Sequence, residues 1–332
     1  MSGRFPALPP PDGADYSSIL RGPGHAWWRS VLGLVLALAA LLLLTVVLLQ
    51  GLVALAWVIV GADRPLADYA AEAYVFALPS GLLAANLATT ALAPVSWLLV
   101  LLLHRRRPRW LSSIRPGLRW RYLLVCLAPA VVVLVGSQLL TGPGLPAGWT
   151  LGPGAVAFLA VIVATTPLQA AAEEIVFRGY LLQAFGSLVG GRWFAVVASA
   201  LVFALLHGSQ SPAMFVDRLG LGLLAGVLVV RTGGLEAAIA AHVVSNTFTY
   251  LNAALTTSVA GVRATTEIGW LDAARDVGSF AVFVVAGLLL ARSMRLRSRV
   301  DLSQFLRPPG HSPAVGSESA AAAPALRPRR RS

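Results

Sequence analysis

Residues 155–187 read AVAFLAVIVATTPLQAAAEEIVFRGYLLQAFGS. A bilayer is crossed by about 20 apolar helical residues, and this run is longer than that. Yet it carries two adjacent carboxylates, Glu173 and Glu174, and a guanidinium at Arg178. An ionisable group inside a spanning helix is costly unless it is paired or lines a wet cavity, so it is a candidate functional group by default. The apolar residues identify the solvent around this helix. The three charges identify the place to look for chemistry.

The rest of the chain has the same character. Its 332 residues are 57% apolar and only 12% charged, with a mean hydropathy of +0.75, whereas soluble domains are about a quarter charged. Apolar runs occur at about 31–60, 78–103, 121–140, 155–187, 192–208, 216–231, 235–253 and 277–291. The expectation is an all-α, polytopic membrane bundle of about eight transmembrane helices. Residues 29–145 hold helices 1–3, 153–255 hold the core that carries the charges, and 277–291 hold the last span. Residues 1–28, with Pro6, Pro9, Pro10, Pro11 and Gly13, and residues 300–332, with Pro308, Pro309 and an alanine run, read as disordered cytoplasmic tails.

The net charge is +12, which raises the question of nucleic acid, since phosphates attract basic patches. The distribution argues against it. Every basic residue is arginine, and most sit in short loops and tails beside apolar runs, where they set orientation. Arg105, Arg106, Arg107, Arg109, Arg115, Arg119 and Arg121 crowd one loop, while Asp63, Asp68, Glu72, Glu267 and Asp272 lie on the other side. The expected location is a bacterial plasma membrane with both termini cytoplasmic. Cys126 is the lone cysteine, so an intrachain disulfide and a cysteine metal cluster are both excluded. The first apolar run is too long for a secretory signal and lacks a small-residue cleavage pattern behind it.

Glu174 and Arg178 are four apart and share a helical face, so they can pair. Glu173 points about 100° away. Either Glu174 and Arg178 lock the helix and leave Glu173 for chemistry, or all three form one structural ionic cluster. Two more polar groups sit in apolar runs. His207 follows Phe203-Ala204-Leu205-Leu206, and Gly190 and Gly191 mark the turn between it and Glu173. The two residues are about equally far from that turn, so an antiparallel hairpin sets them at one depth. A lone helical histidine is otherwise a satisfied core residue. In the seventh run, His242 and Asn246 are four apart on one face, which also suits a plain interhelical hydrogen-bonding pair. His242 counts as nearer the membrane edge than His207, which a tilt or a projecting hairpin has to make up.

Taken together, Glu173-Glu174-x-x-x-Arg178, Phe203-x-x-x-His207 and His242-x-x-x-Asn246 resemble the CPBP (or Abi) intramembrane proteases. This family includes the type II CAAX prenyl endopeptidases and bacterial proteins linked to bacteriocin processing. The resemblance covers about residues 153–255. It implies an intramembrane endopeptidase in which Glu173 and His207 activate water, His242 and Asn246 stabilise the oxyanion, and Glu174 and Arg178 support them. The implied partners are the lipid bilayer and a membrane-associated peptide or protein substrate.

Peptide hydrolysis needs a base, an oxyanion donor and a proton for the leaving amine, and this residue set can supply all three without a cofactor. A zinc ion on Glu173, His207 and His242 is the other possibility, although no His-Glu-x-x-His signature is present. The glutamate mechanism is preferred. A serine mechanism lacks its Gly-x-Ser-x-Gly, and an aspartyl one lacks a pair of membrane aspartates. Two non-hydrolytic readings remain: a non-catalytic membrane scaffold of the same family, and a proton- or cation-coupled transporter.

Overall fold

The computed structural model describes residues 8–141, 154–256 and 258–303. Among these residues the chain is all-helical, apart from two isolated backbone bridges. Ten helices follow in order: α1 Trp27–Val60, α2 Leu66–Tyr74, α3 Pro79–Leu103, α4 Trp120–Leu140, α5 Ala155–Val189, α6 Arg192–Leu205, α7 Pro212–Thr232, α8 Glu236–Thr256, α9 Val259–Ala264 and α10 Trp270–Ser293. The chain is an integral membrane protein. Large apolar side chains such as Leu43, Ile59, Val60, Val132, Val156 and Val163 stand exposed along the long helices, a surface that lipid solvates and water does not.

All eight predicted runs form helices, but the count of eight spans does not carry over. Six helices among the described residues are long and apolar enough to cross: α1, α3, α4, α5, α7 and α10. Helix α6 has 14 residues, about 21 Å at 1.5 Å per residue, against a hydrocarbon core of about 30 Å. Helix α8 has the length, but His242, Ser245, Asn246, Thr247 and Asn252 dilute its hydropathy. It turns that polar content toward other helices.

Four rods widen for a turn into π-helix, at Ala40–Leu44, Leu99–Leu103, Val131–Val135 and Ile175–Leu181. In α4 the cause is local. Pro129 has no N–H and crowds the preceding turn, so the ladder reopens just beyond it. In α5 the wide turn starts directly after Glu174, and such bulges recur at functional sites.

Helix α5 packs against α3 and α8, α6 against α7, and α7 against α10. Between α6 and α7 the approach is close because glycine leaves room: a Cβ on Gly226 would meet Val196, and one on Gly222 would meet Ala200. The α5–α6 hairpin turns at Gly190, whose φ of +85° suits glycine. At 35 residues, α5 is about 50 Å long, well over the hydrocarbon thickness of about 30 Å.

The N-terminal expectation is corrected for residues 8–28. Tyr16, Ile19 and Leu20 are buried, and the Tyr16 hydroxyl donates to the carbonyl of Leu111. Arg21 donates to the carbonyls of Ser187 and Leu188 on α5, and Arg106 reaches the carbonyls of Pro9 and Arg21. The prolines that read as disorder lead into apolar anchors that the helix bundle buries. Gly13 N–H donates to Val300 and Val300 N–H to Ala14, so residue 300 is also held. The rest of the predicted C-terminal tail, from 304 onward, lies outside the described residues, as does the stretch 142–153.

Candidate active site

The site is built on the middle of α5. Glu174 is nearly sealed, with 2% of its side chain exposed, and its Oε1 accepts from Arg178 Nη1 at 3.0 Å. That spacing is the i, i+4 pair expected from sequence, and it survives in the π-helical turn that holds Arg178. The guanidinium also lies over the ring of Phe203 on α6, 4.2 Å from its centroid, a contact that stabilises a desolvated cation. The same Oε1 of Glu174 receives a second donor, Nδ1 of His242 on α8, at 2.8 Å. A carboxylate has lone pairs enough for both.

Glu173 is more open, with 18% of its side chain exposed. Its Oε1 accepts from Gln169 Nε2, one turn earlier on α5. Its Oε2 lies 3.5 Å from Nε2 of His242. His242 therefore stands between the two carboxylates, bonded to the closed one and facing the open one. Asn246, one turn further along α8, donates from Nδ2 to Gln169 Oε1 at a long 3.4 Å. Gln169 thus bridges Glu173 and Asn246. It was overlooked in the sequence, although an amide four residues before a buried acid, on the same helical face, was a readable signal.

The depth difficulty at His242 disappears. The contact between His242 and Glu174 decides it directly: α8 meets the acids at His242, six residues in from its own start at Glu236. The hairpin count also holds, since Phe177 and Phe203 stack edge to face at 5.1 Å. Four residues outward on each helix, that register sets Glu173 level with His207.

His207 itself departs from expectation. Helix α6 ends at Leu205, and His207 occupies the turn beyond it, exposed. Its Nδ1 lies 2.7 Å from the carbonyl of Phe203. A carbonyl can only accept, so Nδ1 carries the proton and Nε2 holds the lone pair. Among the described residues no hydrogen bond or ion pair joins His207 to either glutamate. The link runs through Phe203, whose ring touches His207 at 4.6 Å and His242 at 6.4 Å. So Glu173, Glu174, Arg178, His242 and Asn246 form one bonded network, and His207 borders it.

A catalytic zinc needs three donors converging on one point. Among the described residues no three His, Cys, Asp or Glu side chains converge in that way. The Glu173, His207 and His242 set does not fit zinc in this arrangement.

A second buried ion pair also escaped the sequence reading. Arg119 clamps Glu236 through Nε at 2.9 Å and Nη2 at 2.6 Å, and its backbone N–H adds a third bond at 2.8 Å. This pair fixes the start of α8, and hence the height of His242.

Residues 155–248 match the family described as type II CAAX prenyl endopeptidase Rce1-like, so the resemblance read from the three motifs holds over the segment that carries them. The chain is also similar to the "Uncharacterized protein YyaK" of Bacillus subtilis (strain 168), 26% identical over 166 residues. That alignment takes in 47% of this chain and 55% of the relative, so it spans only about half of the relative's length. No solved structure matches.

Proposed function

We propose that this protein is an intramembrane endopeptidase, hydrolysing a peptide bond of a membrane-associated protein or peptide with water activated by Glu173 and His207. The observation that carries the reading is the asymmetry of the acid pair. One carboxylate is sealed and spent on Arg178 and His242, while its neighbour keeps an accessible oxygen 3.5 Å from the same imidazole. A purely structural cluster gains nothing from an open second acid.

In this reaction water attacks the scissile carbonyl carbon and gives its proton to Glu173. The Nε2 lone pair of His207 orients the water from the other side. Negative charge develops on the carbonyl oxygen and is met by the Asn246 amide, a neutral donor that its weak bond to Gln169 leaves available. His242 adds a second donor at Nε2 whenever that nitrogen carries a proton, with Nδ1–H anchored on Glu174. The C–N bond then breaks, and the leaving amine takes the proton from Glu173. Glu174 and Arg178 hold the imidazole in place and touch no reacting atom.

The name of the matched family makes prenylated CAAX peptides the first substrates to try, ahead of unmodified ones. The arginine-rich side, with both termini, is assigned to the cytoplasm of a bacterial plasma membrane. The test uses purified full-length chain in lipid nanodiscs, prenylated and unmodified peptides, and Glu173→Gln. Loss of about 10²–10⁴-fold in cleavage is expected for the variant, with its melting temperature unchanged. Cleavage that survives Glu173→Gln removes the proposed base. Glu173-dependent solute uptake by liposomes, with no cleavage, moves the protein to the transporter class. Neither activity leaves a non-catalytic membrane scaffold.

A further inference from the structure

The α6–α7 pair carries a cation that the hydrolysis described above does not use. The contacts of Gly226 with Val196 and of Gly222 with Ala200 set an antiparallel register. One more turn brings Arg218 on α7 level with Ala204 on α6, just before His207. Gln210 closes that gap. Its Nε2 donates to the carbonyl of Ala204 at 2.7 Å, and its Oε1 accepts from Arg218 Nη1 at 2.8 Å. The guanidinium is thereby tied to the end of α6 that leads into the exposed His207, within electrostatic reach of that ring.

Arg218 is half-buried on an apolar helix; its described hydrogen-bond partner is a neutral amide, and Asp217 acts on it electrostatically without an ion-pair contact. Among the described residues it makes no ion pair. Asp217 is its neighbour in the chain, but consecutive helical residues point about 100° apart, and the Asp217 side chain is buried with Oδ1 lacking a hydrogen-bond partner. Arg119 and Arg178 are each matched to a glutamate, and buried Arg106 is met by the carbonyls of Pro9 and Arg21. A guanidinium offers five N–H donors in a planar fork, and most of this fork is uncommitted. Its geometry suits a carboxylate, which it binds in bidentate fashion.

We propose that Arg218 is a substrate-binding residue that receives a carboxylate of the peptide, terminal or side-chain, within about three residues of the scissile bond, the span that one helical turn plus the long arginine side chain covers along an extended chain. The inference rests on the proposed hydrolysis at the Glu173 site and assigns that site its substrate polarity. A peptide with a negative group beyond the bond cut beside His207 gains a charge-assisted clamp, and its neutral twin does not.

The experiment compares a prenylated CAAX peptide bearing a free C-terminal carboxylate with its C-terminal carboxamide, plus a carboxamide carrying an aspartate at the last position. Binding is measured on Glu173→Gln protein in phosphatidylcholine nanodiscs, and kcat/KM on the unmodified chain. The acid-to-amide preference is expected to be about ten- to a hundredfold and to collapse toward one in Arg218→Gln. The two acidic peptides tell the terminal from the side-chain source. A preference that persists in Arg218→Gln overturns the proposal. So does equal handling of acid and amide by the unmodified chain, a result that needs no variant to fold. Competition by anionic lipid in an Arg218-dependent manner also overturns it, in favour of a headgroup site. Because binding is read on a Glu173→Gln background, a preference there that Arg218→Gln abolishes supports the clamp even if cleavage fails. Absent cleavage with intact acid preference sinks the hydrolysis alone.

Discussion

His242 and Glu174 are joined through a single oxygen: Nδ1 of the imidazole lies 2.8 Å from Oε1 of the carboxylate, the same atom that accepts from Arg178. One buried anion therefore sets the position of a guanidinium on its own helix and of an imidazole on another. On the proposed mechanism Glu174 is a positioning residue and Glu173 the base, and the two can be told apart by experiment.

Glu174→Gln keeps the side-chain shape and removes the charge that two donors share. Arg178, 2% exposed, is then a buried cation without a counterion, a loss worth about 3–5 kcal/mol. The melting temperature of the detergent-solubilised protein is expected to fall together with cleavage. Glu173→Gln is expected to lose cleavage alone. A Glu174→Gln protein as stable as the parent removes the positioning role.

Chelation separates the two hydrolytic chemistries. Because no three His, Cys, Asp or Glu donors converge among the described residues, dialysis against EDTA is expected to leave cleavage unchanged. Complete loss, restored by added zinc, shows that the side chains rearrange around a metal during turnover.

His104, just past the end of α3, supplies a pH dependence. Burial, then the neighbouring His25, Arg29 and Arg106, hold its pKa down at about 4. The folded protein keeps this ring neutral while the unfolded chain protonates it near the ordinary value of about 6.5. Between those two pH values the unfolded state binds more protons, so stability falls as pH is lowered through that window. The loss reaches about 3 kcal/mol. His104→Gln is expected to flatten the profile of melting temperature between pH 6.5 and 4. An unchanged slope means that other groups carry it.

The N-terminal segment offers a stability test that needs no substrate. Tyr16 is completely buried and bonded to Leu111, so Tyr16→Ala is expected to cost about 3–5 kcal/mol. Thermal unfolding of the variant measures this directly. A change of a few tenths would return the segment to the status of a loose tail.

Composition and apolar run length were sufficient for the membrane class and for the eight long helices, though not for the short α2 and α9, because the bilayer's demand for about 20 apolar residues is local and one-dimensional. The Glu174–Arg178 pair was legible for the same reason, since i, i+4 spacing is a property of one helix. What the sequence could not decide was everything that depends on a neighbour. Whether α6 and α8 count as spans turns on which faces they bury. Whether residues 8–28 are a tail turns on a receiving groove formed by loops and α5, far away in the chain. The same holds at the site. Five residues of α5 and α8 were visible as candidates, but the choice of His242 over His207 as the partner of the acids, and the bridge through Gln169, came from how α8 is pinned by Arg119 and Glu236. Three helices must be packed before a side chain on one can reach the next, and distance along the chain carries no record of that approach.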